Sequence, residues 1–375
     1  MSCNRKNLAL IGTGVLLALL VAEVALRVFL ADRLQFDLAW IRPEAELGWR
    51  NRERWSGTFH FEGRSIPIHT NELGMRGRRA VAPKAGTSFR ILLLGDSTTA
   101  GFEVHEGETF AALLKQGLQA RRPDVTVEVL NMGTRGWATD QSERFLRKLG
   151  PTLQPDVVVY TFCSNDLSGN LDPTKPRYVR RGPELRWASP RPSLTRRVDS
   201  WLRRNSYLYR LGVFLHIRRE TRRPQGKAGV PRWRLEQAEL YRATPERDAP
   251  WQLTFELLRR MKTLAREQRA AFFVMPFVER LEVLEATREE FRRAGVDLAG
   301  CNFDLMHSTL RDFCQRERIG FVDARARFQP QEQCWGQYDP HWNALGHRRA
   351  AEALFEAMRP IAMERATRVE LGDER

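Results

Sequence analysis

A chain of 375 residues, 42% hydrophobic and 29% charged, holds enough apolar side chains for one large domain or two ordinary ones and is too apolar to be disordered throughout. Its formal charge of +15 raises nucleic acid as a partner, but the stretch from Lys175 to Arg234 contains 18 Lys or Arg against 3 acidic residues, so one block carries the whole surplus. That block is rich in proline and lacks zinc-ligand spacing or an aromatic ribonucleoprotein motif. It therefore argues against nucleic acid and for a solvated basic insertion beside a membrane or an anionic polymer.

From Leu8 to Leu30 the chain is apolar apart from Glu23 and Arg27, and as a helix this run extends roughly 35 Å, enough to cross a bilayer. Arg5 and Lys6 precede it, so residues 1–7 are expected in the cytoplasm and the remainder beyond the inner membrane, in the periplasm or outside. Glu23 and Arg27 stand four residues apart near the outer end, where they can pair. A cleaved signal peptide is the rival reading, since Ala22 to Ala25 offers small residues; the helical pattern continues through Leu26 to Leu30, which favours an uncleaved single-pass anchor. In an oxidising compartment one disulfide is expected among Cys301, Cys314 and Cys334, with Cys301 to Cys334 preferred because Cys314 falls at a core position of a helical segment.

Residues 31–84 read as a membrane-proximal extension. Thr58 to Phe61 and Ile66 to His69 alternate around Gly63 as a hairpin, and Asn71 to Gly77 forms a turn region leading into the first sheet strand. His60 and His69 fit packed or surface positions in that small sheet. Residues 85–364 read as one α/β domain. Ile91 to Leu94 is a strand buried on both faces that stops at Gly95, Asp96 and Ser97. A helix over 108–121, a strand over 125–130, a helix over 140–149 and the strand 157–162 follow. The basic block, about 171–250, interrupts this alternation as an insertion or cap, with one amphipathic helix over 200–216 whose Trp201, Leu202, Leu208, Leu211 and Leu215 point inward. Alternation resumes with helices over 251–268, 279–293 and 304–316, strands over 271–275 and 320–322, and a last helix from Ala344 to about Ala362. Residues 365–375 read as a polar tail. Strands alternating with helices of ten to fifteen residues predict a central parallel sheet in a flavodoxin-like three-layer α/β sandwich.

In such a sheet chemistry is placed outside the carboxyl ends of the strands. Ser97 ends the first strand, Asn131 to Gly136 follows the second, Cys163-Ser164-Asn165-Asp166 follows the third, and Tyr338-Asp339-Pro340-His341-Trp342-Asn343 lies between the last strand and the last helix. Each piece has a plainer reading. Gly-Asp-Ser and Asn-Asp are ordinary strand-exit turns, and the 339–343 loop can serve to cap the last helix with Asn343. His347 reads as structural, and His105, His216 and His307 lack supporting context. Serine, histidine and aspartate on one rim are what a serine nucleophile needs: an imidazole to take its proton, and a carboxylate to hold that imidazole.

Taken together, Gly95-Asp96-Ser97, Gly136, Asn165-Asp166, Asp339 and His341 resemble the SGNH hydrolases, the GDSL-like lipase and acylhydrolase family, in a membrane-anchored branch. The resemblance implies Ser97 as nucleophile, His341 as base and Asp339 as its orienting acid. It also implies an oxyanion hole from the Ser97 and Gly136 backbone N–H groups and the Asn165 amide, with neither metal nor cofactor. The implied activity is that of a serine esterase or acylhydrolase working through an acyl-Ser97 intermediate on an acylated glycan or lipid ester of the cell envelope. An O-acyltransferase of an exported polysaccharide and a catalytically silent glycan-binding protein are the alternatives. Two departures stand out: Cys163 occupies a position where the family commonly has Gly, and the acid precedes the histidine as Asp-x-His where Asp-x-x-His is usual.

Overall fold

The computed structural model describes residues 2–30, 34, 40–182, 184–189, 193–222, 232–242, 244–245, 248–337 and 339–370. Residues 31–33 and 35–39, at the start of the expected membrane-proximal extension 31–84, together with Tyr338 and the end of the tail, lie outside these residues. The chain divides into two compact units, one of residues 1–41 and 191–231, the other of 42–190 and 232–375.

From residue 42 on the chain belongs to the larger unit; strand β1 (Ile41–Glu44) pairs with β2 (Gly48–Asn51) as one ribbon, and β3 (Ser56–Phe61) pairs antiparallel with β4 (Arg64–His69) as another. The main sheet follows. It consists of β5 (Ser88–Leu94), β6 (Thr126–Asn131), β7 (Val157–Phe162), β10 (Ala271–Pro276) and β11 (Gly320–Phe321). Its spatial order is β11-β10-β7-β5-β6, with parallel pairing throughout. Every residue of β5 and β7 is buried, as strands covered by helices on both faces must be. Successive side chains point to opposite faces. Ile91, Leu93, Val157 and Val159 share a core with Phe110, Leu114 and Leu118 of helix Phe110–Arg121 and with Ala350 and Leu354 of the C-terminal helix. On the other face Tyr160 reaches Thr139 of helix Thr139–Leu153, its hydroxyl 3.0 Å from the Thr139 hydroxyl. Because the chain runs from β5 outward to β6 and then back across to β7, the strand order reverses at β5, the point where an open α/β sheet leaves a crevice.

Several boundaries differ from the sequence reading. The stretch expected to be one helix over 279–293 is two, Arg280–Val283 and Glu285–Arg293. The C-terminal helix continues from Ala344 to Glu370, since residues 363–370 include no Gly or Pro to stop it. The expected insertion also splits. Strand β8 (Arg177–Arg181) and β9 (Glu184–Ala188) form a hairpin whose Tyr178 and Leu185 pack on Leu253 and Leu257 of the larger unit, and Lys175 is buried against Asp140 at 2.6 Å. Cys301, Cys314 and Cys334 are free thiols, so the expected disulfide is absent. Cys314 and Cys334 are enclosed by apolar packing, while Cys301 lies by the Ala238 carbonyl.

The smaller unit holds helix Ser2–Phe29 and, in place of the single helix expected over 200–216, helices Leu194–Asn205 and Tyr207–Arg222. Ser206 breaks them apart because its hydroxyl accepts the Tyr209 N–H at 3.1 Å, an N-cap that starts a new helix. Trp201 and Leu215, expected inward, are exposed. Glu23 and Arg27 pair at 2.9 Å, as expected, but they also hold the break. Glu23 accepts the Tyr207 and Leu208 N–H groups at 2.8 and 3.0 Å, and Arg27 donates to the Asn205 carbonyl at 2.6 Å.

Candidate active site

At the carboxyl end of β5, Asp96 turns the chain. Its Oδ1 accepts the Thr98 N–H at 2.8 Å and the Thr98 hydroxyl at 2.7 Å, which starts the single helical turn Ser97–Ala100. Gly101 ends that turn at φ 60, a left-handed conformation in which a side chain is strained. Gly133 after β6 packs on the same turn, so closely that an added Cβ would lie 2.5 Å from the Thr99 carbonyl carbon. Arg76 supports the turn from behind. Its guanidinium is almost fully buried and donates to the carbonyls of Ala100 at 2.8 Å, Val104 at 2.5 Å and Gly101. Desolvation lowers its pKa to about 10, so it remains a cation at neutral pH. The Asn71 to Gly77 stretch is thus more than a lead-in to the sheet. Asn71 Oδ1 takes the Leu73 and Met75 N–H groups at 2.9 and 3.0 Å and aims Arg76 at the serine turn.

His341 arrives from the loop before the C-terminal helix. Trp335 and Trp342 each donate an indole N–H to the Val278 carbonyl at 3.0 Å, clamping both ends of that loop. Asn343 caps the helix through the Leu345 and Gly346 N–H groups at 2.9 and 3.1 Å. Glu62 of the β3-β4 turn accepts the Gln337 N–H at 2.8 Å. So held, His341 Nε2 lies 2.8 Å from Ser97 Oγ and Nδ1 lies 2.5 Å from Asp339 Oδ1. The same carboxylate oxygen accepts the His341 backbone N–H at 2.9 Å. This explains how the short Asp-x-His spacing works: the acid folds back in an Asx turn and grips both the main chain and the ring of its own histidine.

The burial of His341 lowers its pKa, but the charge of Glu103 and the bond to Asp339 outweigh that, and the net shift is upward. For Asp339 the bond and charge of His341 outweigh burial and hold the carboxyl below its ordinary range. A carboxylate facing Nδ1 fixes that nitrogen as donor and leaves Nε2 to accept from the serine.

The remaining expected residues border this row. Asn165 Nδ2 donates to Asp96 Oδ2 at 2.9 Å, which ties the amide to the serine turn and leaves a second amide hydrogen. Asp166 closes the turn beneath it, accepting the Cys163 N–H at 2.8 Å and the Tyr160 hydroxyl at 2.7 Å. Gly136 is exposed at φ 74. Burial, with the charges of Asp96, Glu279 and Asp166, pushes the Cys163 thiol well up, so it stays a protonated thiol. His347 is buried, accepts the Phe110 N–H at 3.3 Å and stacks on the Phe110 ring. His60 and His69 bond Ser65 and Ser56 across the β3-β4 ribbon.

Two carboxyl groups at this rim had no sequence signal. Glu103 is 2% exposed, yet its Oε1 lies 3.9 Å from His341 Nδ1 and pairs with Arg135 at 2.6 Å. Its Oε2 is buried and accepts no hydrogen bond from any described residue. Glu279, just past the end of β10, is pushed up to about 7 by burial and the charge of Glu282 and lies by Ser164, Gln237 and Tyr241. An open cleft of about 490 Å³ borders Glu103, with Phe61, Arg64, Arg280, Gln333 and Gln337 among its walls. Among the described residues no cluster of His, Cys, Asp and Glu is arranged to hold a metal.

A parallel sheet whose loops gather a serine, an imidazole and a carboxylate is one scaffold on which hydrolase sites are built. The GDSL-like lipase/acylhydrolase family matches residues 93–349, and the chain belongs to that family. Solved structures to which it is similar include TesA, at 12% identity over 72% of this chain and 98% of that one with a TM-score of 0.40. A GDSL-like lipase from Bacteroides thetaiotaomicron has 10% identity over 75% and 92% with a TM-score of 0.39. A catalytic mutant of an acetylxylan esterase from Geobacillus stearothermophilus has 16% identity over 73% and 96%, also at 0.39. No curated protein matches the chain by sequence.

Proposed function

We propose that the chain is a membrane-anchored serine esterase that cleaves acyl esters of cell-envelope carbohydrate or lipid through a covalent acyl-Ser97 intermediate. The observation that carries this reading is the unbroken row Ser97 Oγ, His341 Nε2, His341 Nδ1, Asp339 Oδ1, at 2.8 and 2.5 Å across its two hydrogen bonds. Ser97 Oγ attacks the ester carbonyl as Nε2 takes its proton, and Asp339 stabilises the imidazolium that forms. The carbonyl oxygen, now an oxyanion, is met by the Ser97 and Gly136 N–H groups and the Asn165 amide, each worth on the order of a hundredfold to a thousandfold in rate. The imidazolium then protonates the departing alcohol. A water, deprotonated by the same ring, releases the acid and restores Ser97. The reaction needs no metal or cofactor.

The anchor in this reading is the N-terminal helix, which over Ala9–Phe29 has a mean hydropathy of 2.3 and is long enough to cross a bilayer. Arg5 and Lys6 keep its start in the cytoplasm, so the larger unit faces the extracytoplasmic side of the inner membrane. The test is labelling of the full chain with a fluorophosphonate followed by peptide mapping. The label is expected on Ser97 and is expected to be lost in Ser97→Ala; labelling elsewhere, or none in a folded chain that also fails to turn over p-nitrophenyl acetate, removes the esterase reading.

A further inference from the structure

The smaller unit contains a helix with an apolar stripe that is exposed among the described residues. In Leu194–Asn205 the residues Leu194, Val198 and Trp201 recur at the spacing of one helical face, and they are 73%, 48% and 59% exposed. The same twelve residues carry Arg196, Arg197, Arg203 and Arg204 against a single acid, Asp199. A short helix that is strongly basic, with aliphatic residues and a tryptophan along one stripe, has the composition of one that lies in a bilayer interface.

Composition alone does not say where the helix sits, but its tether does. The turn at its end, 205–208, is held by the side chains of Glu23 and Arg27: Glu23 accepts the Tyr207 and Leu208 N–H groups and the Ser206 hydroxyl, and Arg27 donates to the Asn205 carbonyl and stands 5.5 Å over the Tyr207 ring. Glu23 lies six residues before Phe29, the end of the apolar span, which is about 9 Å along a helix. With helix 2–29 across the membrane, this turn therefore sits at the boundary between acyl chains and headgroups of the outer leaflet. Among the residues of the N-terminal helix whose burial is described, the half-buried ones fall at positions 22, 23, 25 and 26, toward the end that carries the tether. Four charge-satisfying bonds at a depth where water is scarce also explain why Glu23 and Arg27 are tolerated inside an apolar run.

We propose that helix Leu194–Asn205 lies in the outer-leaflet interface, with Leu194, Val198 and Trp201 in the acyl boundary and its arginines among anionic lipid phosphates. The inference rests on the N-terminal helix spanning the membrane. The occupant of the stripe is lipid because the tether keeps the helix within reach of the bilayer and because the positive charges beside the stripe match anionic headgroups.

The test uses the full chain in nanodiscs containing phosphatidylglycerol, with and without lipid brominated in the upper acyl chain. Trp201 is one of ten tryptophans, so it is read as the difference between the chain and Trp201→Phe. Expected is a bromolipid-quenchable component that disappears in Trp201→Phe and that iodide from water does not reach. The component is expected to weaken as phosphatidylglycerol is exchanged for phosphatidylcholine, and replacement of Arg197, Arg203 and Arg204 by Gln is expected to weaken it in phosphatidylglycerol and to abolish that dependence on headgroup charge. A Trp201 signal open to iodide, or one shielded from both quenchers and so covered by protein, overturns the proposal. Release of the whole chain from native membranes by alkaline carbonate would instead remove the spanning helix on which it rests.

Discussion

Glu103→Gln separates a second carboxylate acting on the imidazole from a buried partner for Arg135. A unit charge 3.9 Å from Nδ1 interacts with an imidazolium by about 4 kcal/mol at an effective dielectric near 20. Arg135, 2.6 Å from the same oxygen, cancels most of this. If a third survives, about 1.4 kcal/mol of transition-state stabilisation is lost and kcat/KM falls about tenfold. The variant also takes the Glu103 charge from beside Arg135, whose own charge lowers the His341 pKa, and this acts in the same direction. The pH profile carries the sharper signature. His341 must be neutral to accept the serine proton, and Glu103 helps hold its pKa above the ordinary imidazole value. The acid limb of kcat/KM is therefore expected to move to lower pH in Glu103→Gln, even as the plateau drops, and to return toward its original place in Glu103→Asp. The assay is initial-rate hydrolysis of p-nitrophenyl acetate between pH 5 and 8 in buffers of constant ionic strength. An acid limb that stays in place or moves upward, in a variant with an unchanged thermal melt, would refute the coupling.

Asp339→Asn is expected to lower kcat by about a hundredfold to ten-thousandfold, because an amide can present a donor to Nδ1 and favour the wrong tautomer; a loss smaller than threefold would assign the orienting role elsewhere. Arg76→Leu strips three carbonyls of their buried donor and should cost about 2 to 4 kcal/mol in a denaturant titration, with fluorophosphonate labelling slowed as the serine turn loosens. His347, lowered to about 3 mainly by burial, is neutral in the folded chain, whereas its unfolded pKa is about 6.5. Its contribution is whole above pH 6.5 and is lost as pH falls toward 3, at up to about 1.4 kcal/mol per pH unit. His347→Gln should therefore lose less melting temperature between pH 7 and 5 than the parent chain; equal losses would contradict the burial argument. Asn165→Ala is expected to reduce kcat about a hundredfold with little change in KM, since the amide meets charge that exists only in the transition state.

The sheet was legible because its strands are short aliphatic runs ended by Gly, Asp and Asn, a pattern that local sequence dictates. So were the rim positions of Ser97, Asn165 and His341, which follow from parallel topology once the strands are placed. Arg76 and Glu103 were not legible. Both owe their surroundings to segments distant in the chain, and a lone Arg in a Gly-rich turn or a Glu among other acids carries no period or spacing of its own. The two helices at 194–222 were merged because Ser206 is a cap that sequence patterns place only loosely, and their shared partner, Glu23, lies more than 180 residues upstream. The extent of the C-terminal helix was missed for a different reason: polarity suggested looseness, although the residues themselves are good helix formers.

The bracing of the serine turn by Arg76 bears on how the protein can be cut for study. A fragment trimmed to the family match would begin at Leu93 and discard both the guanidinium and Asn51, whose amide donates to the Gly133 carbonyl at 2.9 Å. Removing only residues 1–41 keeps both supports but strands helices Leu194–Asn205 and Tyr207–Arg222 without Glu23, leaving a greasy, cationic appendage to drive precipitation. A well-behaved soluble version therefore calls for two excisions, the leader through position 41 and the 191–231 segment, the latter bridged by a flexible linker.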